Sequence, residues 1–406
     1  MNIKRWLPVF LALMVLLACN LPSQSLPVFV APSGAGSATP DWAATLQAAA
    51  PTEIGPAQQV EVTSQAEPIN QPAITPAPTS PAISGGPLLY YSQAGDTLTA
   101  LAVRFGVQVG EIESPDPIPA TGFINPNQLL IIPNQLANTT SSAHLLPDSE
   151  VVYAFSGVDF DTQDFVTQAG GYLNGYHEYL STNGETHGGE LIELLALDNS
   201  INPRLLLALL EYQSGWVYGQ PGNLAQRDYP MGQIDSEIRG LLRQMKWVVN
   251  QLSIGYYGWR EGRLSQIQFR DGVSVRLAPD LNAGTAALQY YFAQVYDSHG
   301  WVQALDPENG FPALYASMFG NPWVRARAVE PLFPANLTQP ELEFPFLIGT
   351  LWSYTGGPHG AWERDGSWAA IDFAPSSNQS GCVDSDAWVT ASAPGLILRS
   401  ERGIVV

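Results

Sequence analysis

Apolar residues are spaced unevenly along the 406-residue chain. A stretch rich in Pro, Ala, Ser, Thr and Gln extends to about residue 87, and regular apolar spacing begins at Leu88. Such a stretch cannot bury a core, so it predicts a disordered linker over residues 19–87. Three patterned segments follow, which we call the first module (88–134), the helical domain (150–335) and the tail (341–406).

The first module carries the pattern of a small β-α-α-β unit. It begins with a strand over residues 88–91, and a Gly-Asp-Thr turn then offers Asp96 or Thr97 as the N-cap of a helix. The apolar residues of this helix share one face: Leu98, Leu101, Ala102 and Phe105. A second short helix is expected over 107–113 and a closing strand over 129–132.

The helical domain follows a second, shorter linker at 136–148. Asn202 can cap a helix with Pro203 at its first position, and the sequence LLLALLEY that follows is apolar nearly all round, which predicts a buried helix. A Pro-rich joint near 331–345 leads to the tail, whose Gly- and Trp-rich pattern predicts strands. The expected fold class is therefore multidomain α+β.

Composition limits the partners. Against 37 Asp and Glu stand 17 Lys and Arg, a net charge of −20 that would repel nucleic acid. We therefore expect no nucleic-acid partner. The two cysteines, Cys19 and Cys382, are far apart and imply no disulfide framework.

The N-terminus resembles that of bacterial lipoproteins. Lys4 and Arg5 precede an apolar run from Trp6 to Leu17, and the sequence LLAC ending at Cys19 resembles a lipobox. The resemblance implies a signal peptide over residues 1–18 and a lipid on Cys19 that anchors the exported protein to a membrane of the cell envelope. A short transmembrane anchor is the alternative, but the run is shorter than the roughly 17 residues that a bilayer requires.

The first module resembles a LysM domain through YYSQAGDTLTALAVRFGV and INPNQLLIIP. The resemblance implies binding of N-acetylglucosamine-containing glycan, hence peptidoglycan, in a groove between two loops. The residues that it places there are Gly95, Asp96, Thr97 and Leu98 on one side and Ile124, Asn125, Pro126 and Asn127 on the other. The family's usual Asn after the second helix is replaced around Ser114-Pro115, and its usual Gly before the last strand is Asn127. The alternative is a turn and helix cap without glycan affinity.

The helical domain resembles the goose-lysozyme and lytic-transglycosylase superfamily through INPRLLLALLEYQSGW. The family's catalytic Glu aligns with Gln213, whose amide cannot protonate a glycosidic oxygen. Glu211 lies about 200° away around the helix and should face elsewhere. The resemblance thus favours a glycan-binding or scaffolding domain with a degenerate site at Gln213. A buried helix in an unrelated bundle is the alternative.

The tail resembles the β-lytic branch of lysostaphin-type zinc metallopeptidases through GGPH and AIDF. The resemblance implies a peptidase for peptidoglycan cross-links, with His359 and Asp372 as the first two zinc ligands. The family completes the site with a His-x-His pair, and no histidine follows His359 here. Zinc is therefore expected only if the site is completed beyond residue 406, and the chain as given is expected to be inactive.

Three hypotheses follow. The first is a zinc endopeptidase of the cell wall whose site is incomplete in this chain. The second is a non-catalytic lipoprotein that binds peptidoglycan and carries degenerate enzyme domains. The third is a glycan-cleaving transglycosylase or muramidase that would use an unidentified acid near Glu211.

Overall fold

The computed structural model describes residues 86–180, 184–337, 340–359, 370–377, 385–395, 397, 400–401 and 404–405. The predicted signal peptide, Cys19 and nearly all of the predicted linker lie outside these ranges. The described chain is a mixed α/β structure of helices and two-stranded sheets. It falls into two compact units, of which the larger holds the first module and the helical domain and the smaller holds most of the tail. No helix in the described ranges is long and apolar enough to cross a membrane.

The first module is a two-stranded sheet covered by one helix. In chain order it has β1 (Leu88–Tyr91), α1 (Leu98–Phe105), a 3-10 turn (Val109–Glu111) and β2 (Leu129–Ile132). The strands pair antiparallel, with Leu88 opposite Ile132. Of the two N-cap candidates from the sequence, Asp96 and Thr97, Thr97 caps the helix, since its side chain accepts a hydrogen bond from Ala100 N. A small apolar core between helix and sheet includes Leu101, Phe105 and Leu130.

The second helix predicted for this module is wrong in type and extent. Only Val109–Glu111 is helical, as a single 3-10 turn, and Ile112 already has an extended backbone. The Glu111 carboxylate accepts from Gln108 N at 2.6 Å and closes the turn. The chain then pairs with β2, because Glu113 N donates to Ile131 O at 3.0 Å and Ile131 N to Glu113 O at 2.7 Å. This pairing ends the helix before a second turn can form.

The helical domain contains the remaining helices of the larger unit. The elements in chain order are α2 (Phe155–Val158), α3 (Thr162–Ala169), α4 (Tyr172–Gly175), β3 (His177–Leu180), β4 (Gly184–His187), α5 (Gly188–Asp198), α6 (Pro203–Ser214), α7 (Leu224–Asp228), α8 (Leu241–Arg260), β5 (Gln266–Gln268), β6 (Ser274–Arg276), α9 (Ala283–Val295), α10 (Ser298–Ala304), α11 (Phe311–Phe319) and α12 (Pro322–Val329). The pairs β3–β4 and β5–β6 are antiparallel hairpins.

Helix α6 is buried in this domain, as its sequence predicts. Asn202 caps it by accepting from Arg204 N at 3.1 Å, and the run from Leu205 to Leu210 is completely buried. Helices α8 and α9 pack closely where Gly255 faces Ala287, because a Cβ at Gly255 would lie 2.7 Å from the Ala287 Cα. A continuous apolar core results.

The segment predicted as the second linker, 136–148, lies along the helical domain. Thr140 N donates to Arg276 O at 2.8 Å, and Leu145 N donates to Thr285 Oγ1 at 2.8 Å. Asp148 closes the segment, since its Oδ1 accepts from Gly284 N at 2.7 Å at the start of α9. The connection to the first module is therefore fixed along its length by hydrogen bonds.

The tail has the strand character that its sequence predicts. Its strands are β7 (Trp352–His359), β8 (Ala370–Pro375), β9 (Ser400–Glu401) and β10 (Ile404–Val405), arranged as the two-stranded sheets β7–β8 and β9–β10. Phe346 stacks on Trp352 with ring centroids 5.0 Å apart and meets Phe373 edge-on at 5.4 Å. These rings pack the approach to β7 against the sheet.

Candidate functional site

The two loops predicted to form the glycan groove lie side by side in the first module. Ile124 N donates to Asp96 O at 2.8 Å, and Asn127 N donates to Ser92 O at 2.8 Å. The Ser92 hydroxyl also donates to Asn125 O at 2.6 Å. The predicted groove residues therefore lie on two segments joined by hydrogen bonds, 95–98 and 124–127, which we call the loop pair; Leu98 is also the first residue of α1.

Asp96 uses its carboxylate inside this loop pair. It is buried, and its Oδ2 accepts from Tyr90 OH at 2.6 Å and from Gln93 N at 2.7 Å. Its Oδ1 pairs with Arg104 Nη2 at 2.7 Å. Burial and the neighbouring Asp96 raise the pKa of Tyr90, so this phenol keeps its proton. The geometry gives Asp96 a role in holding strand, loop and helix together.

The other predicted groove residues divide by exposure. Gly95 and Ile124 are buried, whereas Asn125 and Asn127 are exposed, and Thr97, Leu98 and Pro126 lie between these extremes. Asn127 has φ 65°, in the left-handed region where the LysM pattern has glycine. Asparagine is one of the few residues that adopt this conformation readily, so Asn127 can stand in place of a glycine without straining the backbone of this loop.

Arg260, from the end of α8, covers the first loop. Its Nη1 donates to Ala94 O at 2.9 Å, and its Nη2 pairs with Asp148 Oδ2 at 2.9 Å. Gly95 has φ 83°, and a Cβ at this position would lie 1.8 Å from Arg260 Nη1. Glycine is thus needed here both for the backbone conformation and for the approach of the guanidinium.

Phe333 and Asn336 cover the loop pair from a segment that we call the strap (residues 331–336). The Phe333 ring lies 4.7 Å from the Arg260 guanidinium carbon and 5.1 Å from the Phe123 ring. Asn336 N donates to Asn125 Oδ1 at 3.0 Å. A Cβ at Gly95 would lie 3.1 Å from Phe333 Cδ2, so the strap borders both sides of the predicted groove.

Helix α1 of the first module lies against the helical domain. Arg104 is 2% exposed, and its guanidinium carbon lies 4.9 Å from the centre of the Trp259 ring. Arg276 Nη2 donates to Val103 O at 2.6 Å, and a Cβ at Gly262 would lie 2.9 Å from the Ala100 Cα. These contacts, together with Arg260, fix the first module on the helical domain.

Gln213 lies on α6 beside two tyrosines. Tyr296 OH donates to Gln213 Oε1 at 3.0 Å, and Gln213 Nε2 donates to Tyr291 OH at 3.5 Å. Burial, with a smaller contribution from Tyr212, raises the pKa of Tyr296 to about 12, so its phenol is neutral near pH 7. None of these three groups supplies an acid of the strength that glycoside cleavage needs.

The Glu211 side chain faces away from Gln213 and its two tyrosines, as the helical spacing of the two residues predicts. Its Oε2 accepts from Val217 N at 2.8 Å and from Tyr218 N at 3.1 Å, which holds the loop after α6. It also borders an open depression of about 480 Å³ that Glu308 lines as well. The carboxylate is thus engaged by main-chain amides.

The tail places its two predicted zinc ligands on neighbouring strands. His359 is the last residue of β7, and its side chain lies outside the described residues. Asp372 is exposed on β8, and a Cβ at Gly356 would lie 2.7 Å from its Oδ2. No three His, Cys, Asp or Glu side chains within the described ranges are grouped so as to hold a metal ion. Since a zinc site of this type needs three protein ligands, the described residues do not fit a complete one.

Four residues that contact or support the loop pair have no sign in the sequence pattern: Arg260, Phe333, Asn336 and Asp148. Arg260, Phe333 and Asn336 lie more than 130 positions beyond residue 127, Asp148 lies 21 positions beyond it, and none stands in a motif. The pattern around Arg260 is that of an ordinary helix end with a basic residue in its last turn. No local signal in the sequence marks these contacts.

Comparison with known proteins gives a match for the helical domain. Residues 144–334 match the family model described as LasA, N-terminal domain. The chain is 32% identical over 177 residues to Protease LasA of Pseudomonas aeruginosa strain UCBPP-PA14, and equally to that of strain PAO1. The alignment covers 41% of this chain and 40% of each relative. No solved structure matches.

The matched segment includes the stretch whose sequence resembles goose lysozyme. It relates the chain to LasA-type proteases, in keeping with the β-lytic resemblance of the tail. The lysozyme-like and LysM-like resemblances stay predictions.

Proposed function

We propose that this protein is an exported envelope protein that binds peptidoglycan through its first module and carries a peptidase-type tail directed at the same polymer. The match of residues 144–334 to the N-terminal domain of LasA carries the proposal. The relatives are named proteases, and the tail that follows the matched segment independently bears the GGPH and AIDF motifs of β-lytic peptidases. Two separate segments thus support one relationship.

Peptidoglycan is the common ligand of the resemblances. A LysM-like groove implies its glycan strands, a lysozyme-like helix implies the same strands, and a β-lytic-like tail implies its peptide cross-links. The lipobox at Cys19 and the Pro-rich segment after it support a membrane anchor with a long tether. Such a tether would let the folded modules reach a wall that lies away from the membrane.

Zinc enters this proposal only under a condition. His359 and Asp372 supply two ligands of suitable chemistry, an imidazole nitrogen and a carboxylate oxygen. A zinc ion held by three ligands would polarise a peptide carbonyl and activate water. Peptide cleavage is therefore proposed only for a protein in which a third ligand completes this pair.

A non-catalytic peptidoglycan-binding protein is the second candidate. The observation that favours it is Gln213, an amide at the position of the lysozyme-type acid, bonded to Tyr296 at 3.0 Å. In this case the helical domain and the tail would serve as scaffold or binding surface.

Sedimentation with purified peptidoglycan sacculi tests the proposal. The full chain should pellet saturably with the sacculi, and His359→Ala should pellet equally well. Zinc-dependent release of new amino termini that is lost in His359→Ala would establish the peptidase, whereas binding without release would select the second candidate. A chain that stays in the supernatant at all sacculus concentrations would refute both.

A further inference from the structure

The strap lies where a glycan would have to enter the loop pair. The main-chain N–H of Asn336 donates a hydrogen bond of 3.0 Å to Asn125 Oδ1, an acceptor on an exposed residue of the predicted groove. The Phe333 ring stands beside Gly95, since a Cβ at this glycine would lie 3.1 Å from Phe333 Cδ2. An aromatic face and a main-chain N–H are groups that a sugar ring and its hydroxyls could replace.

Few contacts hold the strap. Pro331, Pro334, Ala335 and Asn336 are exposed, and Phe333 is only half-buried. Within the described part of the chain, the contacts that fix it over the loops and Arg260 include one hydrogen bond, one ring pair and one cation–π contact. Segments with little buried apolar surface and exposed hydrogen bonds open at low cost, without unfolding of the domain beneath them.

Arg260 beneath the strap is held much more firmly. Its side chain is 12% exposed and is paired with Asp148, so it stays in place when the strap lifts. Lifting would uncover the part of the guanidinium that the Phe333 ring now covers at 4.7 Å. The loop pair would then offer the Asn125 Oδ1 acceptor that Asn336 N now engages.

We propose that the strap is an intramolecular lid that competes with N-acetylglucosamine glycan for the loop pair of the first module. The inference rests on the proposed glycan binding and adds its regulation. Glycan binds only the open form, in which the strap is lifted. Its apparent affinity is therefore the affinity of the open form multiplied by the small fraction of chains that are open. Because coupling is reciprocal, bound glycan in turn holds the strap open.

Two strap variants and one control test this lid. Phe333→Ala removes the ring, and Asn336→Pro removes the donated N–H and excludes the φ of 58° that Asn336 adopts. Leu337→Ala, which truncates a side chain that is 48% exposed just beyond the strap, is the matched control. The probe is fluorescently labelled penta-N-acetylchitopentaose, titrated against the full chain.

Both strap variants should bind the probe at least tenfold more tightly than the unmodified protein and Leu337→Ala. Hydrogen exchange over residues 331–337 of the unmodified protein should also speed up when saturating probe is added. Equal affinities in all four proteins, with unchanged exchange, would overturn the lid and leave glycan binding intact. Absence of probe binding even in the strap variants would overturn the glycan-binding function itself and the lid with it.

Discussion

Arg260 donates a hydrogen bond from Nη1 to the main-chain carbonyl of Ala94, 166 positions earlier in the chain, across 2.9 Å. Its Nη2 pairs with Asp148, and the Phe333 ring packs against the guanidinium. One cation thus joins the first module, the segment 136–148 and the strap. The effect of removing it should therefore extend beyond the loss of a single ion pair.

Arg260→Ala should lower the free energy of unfolding by about 3 kcal/mol, because Asp148 would keep a largely buried charge with its partner gone. Arg263→Ala is the control, since its pair with Glu261 is about half exposed on both sides and should matter by less than about 1 kcal/mol. Urea unfolding of the full chain measures both. Equal losses in the two variants would show that Arg260 has no special role.

Asn127 should tolerate glycine and reject a β-branched residue. Asn127→Gly keeps the left-handed backbone at φ 65° and should change stability by less than about 0.5 kcal/mol. Asn127→Val should cost about 1–3 kcal/mol, because Val enters this region only with strain. Thermal unfolding compares the two, and similar losses from Gly and Val would contradict the backbone explanation.

Tyr296 should make stability fall at alkaline pH. Its folded pKa is raised to about 12, whereas an unfolded phenol titrates near 10. The unfolded chain therefore loses this proton first, so the contribution is full below about pH 10 and disappears as pH rises through about 12.

Tyr296→Phe has no such proton to lose. Between pH 9 and pH 12, the free energy of unfolding of the unmodified protein should therefore fall by about 2 kcal/mol more than that of this variant. Tyr179→Phe, which removes a hydroxyl from a side chain that is 78% exposed, is the control and should follow the unmodified protein. Denaturant titrations at a series of pH values give the comparison. Parallel curves for all three proteins would exclude the role given to Tyr296.

Glu211 should be structural. Glu211→Ala leaves the amides of Val217 and Tyr218 without their acceptor and should reduce stability by about 1–3 kcal/mol. Release of reducing sugar from peptidoglycan should be the same as in Glu308→Ala, which alters the same depression. A measurable muramidase activity that disappears only in Glu211→Ala would instead support the glycan-cleaving hypothesis.

The elements that the sequence predicted well are those set by neighbouring residues. Thr97 and Asn202 are helix caps, and each accepts a main-chain hydrogen bond within three positions. The apolar run of α6 is buried because no polar face interrupts it. Such features depend on spacing alone, which the chain displays directly.

The environment of the candidate site could not be predicted in the same way. Asp96 has the sequence context of a turn residue, yet its carboxylate is buried against Arg104. A charged residue in a polar turn is normally solvated, so only the folded structure shows that this one faces inward. The contacts of Arg260 and Asn336 with the loops span 166 and 211 positions, beyond any periodic signal. The failure of the second short helix had a similar cause, namely pairing with a strand that comes later in the chain.

The placement of α1 against Trp259 has a consequence for the order of folding. The first module has a core of nine buried residues. Trp259, which covers the buried Arg104 side chain, emerges from the ribosome 155 positions after it. So small a core gives the first module only marginal stability by itself, without the contacts to α8. Contacts between residues so far apart in the chain form late in folding, because a long loop must close first. The first module, although it is synthesised before the helical domain, would thus reach its final structure only after α8 has formed.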